Sequence, residues 1–161
     1  MSQILSQLLD LELSWKRVKL DYSEGRSFLE FPNEFRLFEE NIDECIAELA
    51  SELKDGTYSP KPSLIIEVPK PGGSTRPAAY LELWDRIVYY ALVGACYGHI
   101  YQFISKELGD IDIAYPIFSD SQTVKWIWPG FKAWTKFRNK SLEIIDDYAS
   151  WVVIADISAC F

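Results

Sequence analysis

The sequence is short of residues that bind metals or carry redox chemistry. Among 161 residues there is one histidine, His99, one methionine and three cysteines. Cys45, Cys96 and Cys160 stand far apart and form no CxxC pair, so with a single histidine they give no zinc site of ordinary spacing. An odd cysteine count without a signal-peptide pattern predicts a protein of the reducing cytoplasm. A basic surplus is also missing: 16 Lys and Arg face 24 Asp and Glu, for a net charge of −8. Residues 1–60 carry 6 basic and 13 acidic groups, 61–115 carry 5 and 6, and 116–161 carry 5 and 5. The acidity belongs to the N-terminal part, which would repel a phosphate backbone and favours a protein contact there. Any contact with nucleic acid must come from a local patch. No internal repeat or low-complexity tract is visible.

What is abundant is apolar and aromatic material, 48% and 15% of the residues, enough for the core of one domain. From Ile87 to Ser105 no residue is formally charged. Four tyrosines, two glycines, His99 and Gln102 in that stretch argue against a lipid-facing span and for a buried aromatic helix, with His99 a satisfied core residue.

Periodicity organises the rest. Ile4, Leu8, Leu11, Trp15 and Val18 form one stripe of an amphipathic helix over about 2–20. Asn33 then reads as the N-cap of a second helix, with Glu34 in its first turn. Its stripe is Phe35, Phe38, Ile42, Cys45 or Ile46, Leu49 and Leu53, and Gly56 stops it. Leu64–Val68 and Pro77–Tyr80 flank the turn-rich run Lys70-Pro71-Gly72-Gly73-Ser74-Thr75-Arg76, the pattern of a β-hairpin with a glycine-tipped loop. A long helix over about 84–108 follows, with Ile87, Val88, Ala91 and Ala95 inward. A basic, aromatic helix spans about 131–148. Trp151-Val152-Val153-Ile154-Ala155 reads as a buried-type strand ending at Asp156. A central strand needs neighbours on both sides, so the sequence reads as cut inside a domain.

Three features could carry chemistry. A carboxylate at the carboxyl end of an apolar strand is where many α/β and α+β enzymes place a metal ligand, although Asp156 taken alone is equally a strand-end turn residue. The small Ser158 and Ala159 leave room beside it, as a Mg²⁺ ion with a nucleotide would require. The hairpin loop offers Lys70 as a point charge and Arg76 as a bidentate fork, a pairing suited to polyphosphate. It is not a Walker loop, since no GKS or GKT follows the glycines, and by itself it also fits a solvated hairpin. Finally, residues 125–140 interleave aromatics with five positive charges and no acid. They could stack bases and neutralise phosphates, or form a helix that buries Phe131 and Trp134 behind a ridge of Lys132, Lys136 and Lys140.

Taken in order, Leu-Lys-Asp-Gly-Thr-Tyr (53–58), an apolar strand, Pro-Lys-Pro-Gly-Gly-Ser-Thr-Arg-Pro (69–77), Asp-Arg-Ile-Val (85–88) and Ala-Asp-Ile-Ser-Ala-Cys-Phe (155–161) resemble the N-terminal half of a bacterial reverse transcriptase. The likeness is to the group II intron, retron and abortive-infection relatives and covers about residues 50–161. It implies an α+β fold in three parts: a helical N-terminal region (1–55), fingers with one long hairpin (56–150), and the start of a right-hand polymerase palm (151–161). The activity implied is RNA-directed DNA synthesis from deoxynucleoside triphosphates, with two Mg²⁺ ions assisting in-line attack of a primer 3′-oxygen. The partners implied are an RNA template and a DNA or protein primer. Carried over residue by residue, Lys70 and Arg76 would hold the incoming triphosphate. Asp156 would be the first catalytic carboxylate, and the carbonyl of Ile157 a second ligand to the same metal. Phe161 would lie beneath the sugar, and Arg86 would structure the fingers or touch the template. The family's Tyr-x-Asp-Asp turn is absent from these residues. Ala78-Ala79-Tyr80-Leu81 replaces the intron-type Leu-Gly-Ile-Pro, and Ile113-Ala114-Tyr115-Pro116 stands where those enzymes have Ser-Tyr-Gly-Phe-Arg. These departures point to the defence-associated branch. A fingers-derived module that binds nucleic acid or protein without catalysis is the competing expectation.

Overall fold

In the computed structural model of the chain, the residues described are 8–24, 32–70, 72–108, 120, 122–125, 130–148, 151 and 153. They form five α-helices and one two-stranded antiparallel sheet, an α+β arrangement dominated by helix.

The first helix, α1, spans Leu11–Ser23. The expected stripe over 2–20 is interrupted because Asp10 acts as an N-cap: its Oδ1 accepts the Leu13 N–H at 2.8 Å. Leu8 consequently lies outside the core and is exposed, while Leu11, Trp15 and Val18 are buried. The stripe expected over residues 34–55 belongs to two helices, α2 (Pro32–Glu40) and α3 (Ile42–Asp55). Pro32, not Asn33, opens α2, consistent with the tolerance of a helix's first turn for a residue lacking an N–H. The break falls at Asn41, whose N–H reaches Leu37 O and Phe38 O at 3.2 Å and whose side-chain amide also donates to Leu37 O, at 2.8 Å. At the far end Gly56 adopts the left-handed conformation, φ 73°, and the N–H groups of Thr57 and Tyr58 both reach Glu52 O. This closure turns the chain towards the hairpin.

Strands β1 (Leu64–Pro69) and β2 (Thr75–Tyr80) pair in a single register from Leu64↔Tyr80 to Pro69↔Thr75. Helix α4 then runs from Leu83 to Phe103 and continues as a π-helical turn over Ile104–Leu108. Helix α5 is Gly130–Tyr148, close to expectation.

The core is where α1 packs along α4, with α2 and α3 closing over them. Leu11, Trp15, Val18, Phe38, Leu49, Leu83, Ile87, Val88 and Ala91 form its buried cluster. Aromatic edges fill the junctions: Trp15 lies 4.9 Å from both Phe35 and Phe38, and Phe38 meets Trp84 edge-on at 5.3 Å. The first half of α4 is therefore the central helix. Its second half departs from expectation: Ala95 and His99 are exposed, and Tyr97 is the buried residue beyond Ala91. The stretch Leu83–Lys106 is long and apolar enough to cross a membrane, and 22% of its most apolar window is buried. Among the described residues only the half that faces α1 is covered, so His99 is not a core histidine.

The apolar run at 151–155 also differs from expectation where it is described. Trp151 and Val153 are each 89% exposed and belong to no strand. A strand is held by its neighbours' backbone groups, and the two strands among the described residues pair with each other.

Candidate functional site

The hairpin owes its shape to its loop. The Lys70 N–H donates to Ser74 O at 2.7 Å, the Gly73 N–H reaches Lys70 O at 3.3 Å, and Gly72 and Gly73 take φ values of 101° and 85°. A side chain at either position would strain the backbone, which accounts for the paired glycines. Proline at 69 and 77 suits a ribbon whose two strands are both edges among the described residues.

Register and alternation then sort the side chains. Ile66 and Val68 are half-buried, opposite Ala78 and Arg76, and Tyr80 on the same face is buried. Ile65, Glu67, Thr75, Pro77 and Ala79 occupy the other, exposed face. The same parity carries Arg76, opposite Val68, onto the face that includes Tyr80, while Lys70 directly follows β1, its N–H bonded to Ser74 O. Both cationic side chains are exposed at the tip. The two residues expected to hold a triphosphate thus stand on either side of the glycine loop at the tip of one ribbon.

The base of the ribbon is anchored by Arg86. Its guanidinium lies 5.2 Å from the Tyr80 ring and 5.3 Å from the Tyr22 ring, and Nη1 donates to the Tyr22 hydroxyl at 3.0 Å. A cation held between two aromatic faces couples the end of β2 to the end of α1. Burial raises the Tyr22 phenol above its usual pKa, with Arg86 opposing the shift. In this arrangement Arg86 ties the hairpin to α1.

Beside it stands Asp85, in the first turn of α4. It is only 8% exposed, accepts a hydrogen bond from the Tyr58 hydroxyl, and another from the Lys61 backbone N–H at 3.0 Å. Burial first, then the hydrogen bond to Asp85 and the carboxylate's charge, hold the Tyr58 phenol far above its usual range. Lys61 Nζ pairs with Glu82 at 2.6 Å, which raises the ammonium pKa. These groups, with Glu48, Glu52 and Trp84, line an open cleft of ≈350 Å³. Its bonds tie the segment after α3 to the start of α4, and so fix where the hairpin leaves the helices. The signal for them in the sequence is the pair of motifs at 53–58 and 85–88, which meet through Tyr58 and Asp85.

The remaining expected site residues, Asp156, Ile157 and Phe161, lie outside the described residues. Among the described residues no three His, Cys, Asp or Glu side chains converge as a metal site would require. Cys45 and Cys96 are free thiols, and Cys160 also lies outside the described residues. Trp134 on α5 is 57% exposed, against the expectation that it is buried; Ala133 takes the buried position beside it. Phe131 is outside the described side chains.

No family model, curated protein or solved structure matches the chain.

Proposed function

We propose that the chain is the fingers region and the first palm segment of a bacterial reverse transcriptase, an RNA-directed DNA polymerase of the defence-associated kind. The observation that carries this reading is that Lys70 and Arg76 are both exposed at the tip of one ribbon turned by Gly72 and Gly73. A pair of cations so presented suits a nucleoside triphosphate. Lys70 supplies a point charge, and Arg76 a planar fork that two phosphate oxygens can share. Arg86 and Asp85 act behind the ribbon, Arg86 by fixing its base against α1 and Asp85 by fixing the start of α4.

In this reading Asp156 and the carbonyl of Ile157 bind Mg²⁺, which would offset charge on the reacting phosphates. Phe161 lies under C2′ of the incoming sugar. One carboxylate and one carbonyl make a poor Mg²⁺ site, so the 161 residues by themselves are inactive. The reading requires the paired aspartates of the Tyr-x-Asp-Asp turn to come from sequence that follows residue 161.

Primer extension by the polymerase carrying Asp156→Asn is the test. Asparagine keeps the shape but not the charge, and synthesis should disappear while folding persists. Normal extension by a folded Asp156→Asn protein would overturn the metal assignment.

The net −7 of residues 1–60 favours a second reading, a fingers-derived module that contacts a protein through its acidic helices and catalyses nothing. The coding DNA past codon 161 separates the two. An open frame encoding Tyr-x-Asp-Asp supports the polymerase, and a stop codon supports the module.

A further inference from the structure

Among the described residues the β1–β2 ribbon has two open edges, and they are not alike. The Lys70 N–H donates to Ser74 O, one pair beyond Pro69↔Thr75 in the same register, and this fixes the phase of the ladder. Hydrogen-bonded and non-hydrogen-bonded pairs alternate along an antiparallel ladder. Val68↔Arg76, Ile66↔Ala78 and Leu64↔Tyr80 are therefore the hydrogen-bonded pairs. In Ile65↔Ala79 and Glu67↔Pro77 the backbone groups point away from the partner strand. On β2 the middle of that outer row is Pro77, which has no N–H to offer. On β1 the row is intact: Ile65 and Glu67 each present an N–H and a carbonyl, and no proline or lysine interrupts Leu64–Val68.

An unblocked strand edge is a template for another extended chain. Leu64 and Ile65 are 48% and 67% exposed, so apolar side chains flank the open row. The Glu67 carboxylate is exposed on the same face as Ile65 and has no partner among the described residues. Lys61, three residues before Leu64 and about 10 Å away along extended chain, lies in the wall of the cleft described above. There Glu48, Glu52, Glu82 and Asp85 outnumber it. Positive charge on the ribbon is confined to its tip, at Lys70 and Arg76. A chain running antiparallel to β1 passes from tip to base, so cations in its C-terminal part would meet Glu67 and then the cleft. A second copy is a poorer occupant, because it brings a net charge of −8 against −8.

We propose that the open edge of β1 captures an extended segment of a protein partner as a third, antiparallel strand. That segment has a basic residue opposite Glu67, β-branched residues opposite Ile66, Ile65 and Leu64, and a basic tail that reaches the cleft. Ile65 and Glu67 supply four main-chain hydrogen bonds, and the side chains select the partner. The contact uses none of Lys70, Arg76, Asp156 or Phe161, so it does not rest on the polymerase reading.

The test is fluorescence anisotropy of the 161-residue protein with the peptide KVIVSKRK, fluorescein-labelled at its N-terminus. In the proposed register the first Lys and the Ile of the peptide face Glu67 and Ile65, while both Val N–H groups point away from β1. N-methylation of the Ile should weaken binding about tenfold or more, and N-methylation of either Val less than about twofold. Glu67→Gln should weaken it about threefold, as should Glu48→Gln with Glu52→Gln. Raising salt from about 50 to 300 mM should also weaken it, and the peptide EVIVSEEE should not bind. Glu67→Pro, which mirrors Pro77 across the ribbon, should abolish binding while leaving hydrogen exchange at the cross-strand amides unchanged. No binding of KVIVSKRK, or equal losses on methylating Ile and Val, would overturn the proposal, the second by reducing the contact to charge attraction alone. So would sedimentation of the protein as a dimer that Glu67→Pro dissociates, since a second copy would then occupy the edge.

Discussion

Gly94 of α4 faces the guanidinium of Arg17 on α1 so closely that a Cβ at residue 94 would lie 2.8 Å from Arg17 Nη1. Arg17 is 2% exposed and donates to the carbonyl of Thr123 through Nη2 at 3.0 Å and through Nε at 3.4 Å. The helices α1 and α4 approach here over a buried cation, which burial pushes below its usual pKa while Asp10 and Tyr97 oppose the shift. Arginine remains charged at neutral pH, so its hydrogen bonds to Thr123 hold that charge in place.

Two glycines of one helix should therefore respond oppositely to alanine. Gly94→Ala must shift the Arg17 guanidinium, a move that its burial and its bonds to Thr123 oppose, and is expected to destabilise the protein by about 1–3 kcal/mol. Gly98 has open space where a Cβ would stand, and Gly98→Ala is expected to stabilise by about 0.5–1 kcal/mol through helix propensity. Urea unfolding of both variants checks the pair. Equal shifts of the same sign would mean that the Arg17 contact does not constrain α4.

Arg86 should tie the hairpin to the helices through its rings as well as its charge. Arg86→Lys keeps the charge but loses the planar contact with Tyr22 and Tyr80. It is expected to cost about 1–2 kcal/mol and to raise hydrogen exchange at the β1–β2 amides before those of α4. Exchange that rises evenly across the protein would assign Arg86 to global stability only.

Alkaline pH should weaken the fold through its phenols. Tyr58 and Tyr22 both have pKa values raised above 10.0 in the folded state, so the folded state holds their protons more tightly than the unfolded chain does. The stabilisation is fully present below pH 10 and is lost as pH rises beyond it. Tyr58→Phe should lower the urea midpoint at pH 8, because Asp85 loses a donor, yet flatten the further fall between pH 9.5 and 11. A slope identical to that of the parent would show that Tyr58 does not contribute to it.

The hairpin tip should tolerate side chains poorly. Gly73→Ala places a Cβ at φ 85° and is expected to cost about 1–2 kcal/mol, with Ala at Gly72 similar. In the polymerase reading, Arg76→Ala leaves folding unchanged but raises nucleotide KM and lowers kcat, and steady-state primer extension measures both.

In the same reading Phe161→Ala should relax sugar selection. Loss of the ring under C2′ is expected to reduce the deoxy preference in kcat/KM about a hundredfold, on the basis of a clash and desolvation of about 3 kcal/mol. A deoxy preference that survives, with lower stability, would make Phe161 a packing residue.

Local chemistry made much of the fold legible. The Gly56 stop, the hairpin with its paired glycines and the extent of α5 follow from residues acting on their own neighbours, through backbone sterics and periodicity. What escaped the sequence depends on which surfaces meet. Asn41 divides a continuous apolar stripe where its side-chain amide and its own N–H both bond the Leu37 carbonyl, a local arrangement that hydrophobic spacing does not register. His99 and Ala95 share an uncharged stretch with Ile87 and Ala91, yet only the half of α4 that α1 covers is buried. Trp134 has the composition of a core residue and the exposure of a surface one. Asp85 and Arg17 are charged residues in the interior because Tyr58, Lys61 and Thr123, 24 to 106 positions away in the chain, bring them hydrogen bonds. The sequence by itself determined the stop at Gly56, the glycine-tipped hairpin and the extent of α5, since those depend on a few adjacent residues. The tertiary structure alone decided which charges are buried and which apolar faces stay open, because burial is a property of the neighbour as much as of the residue.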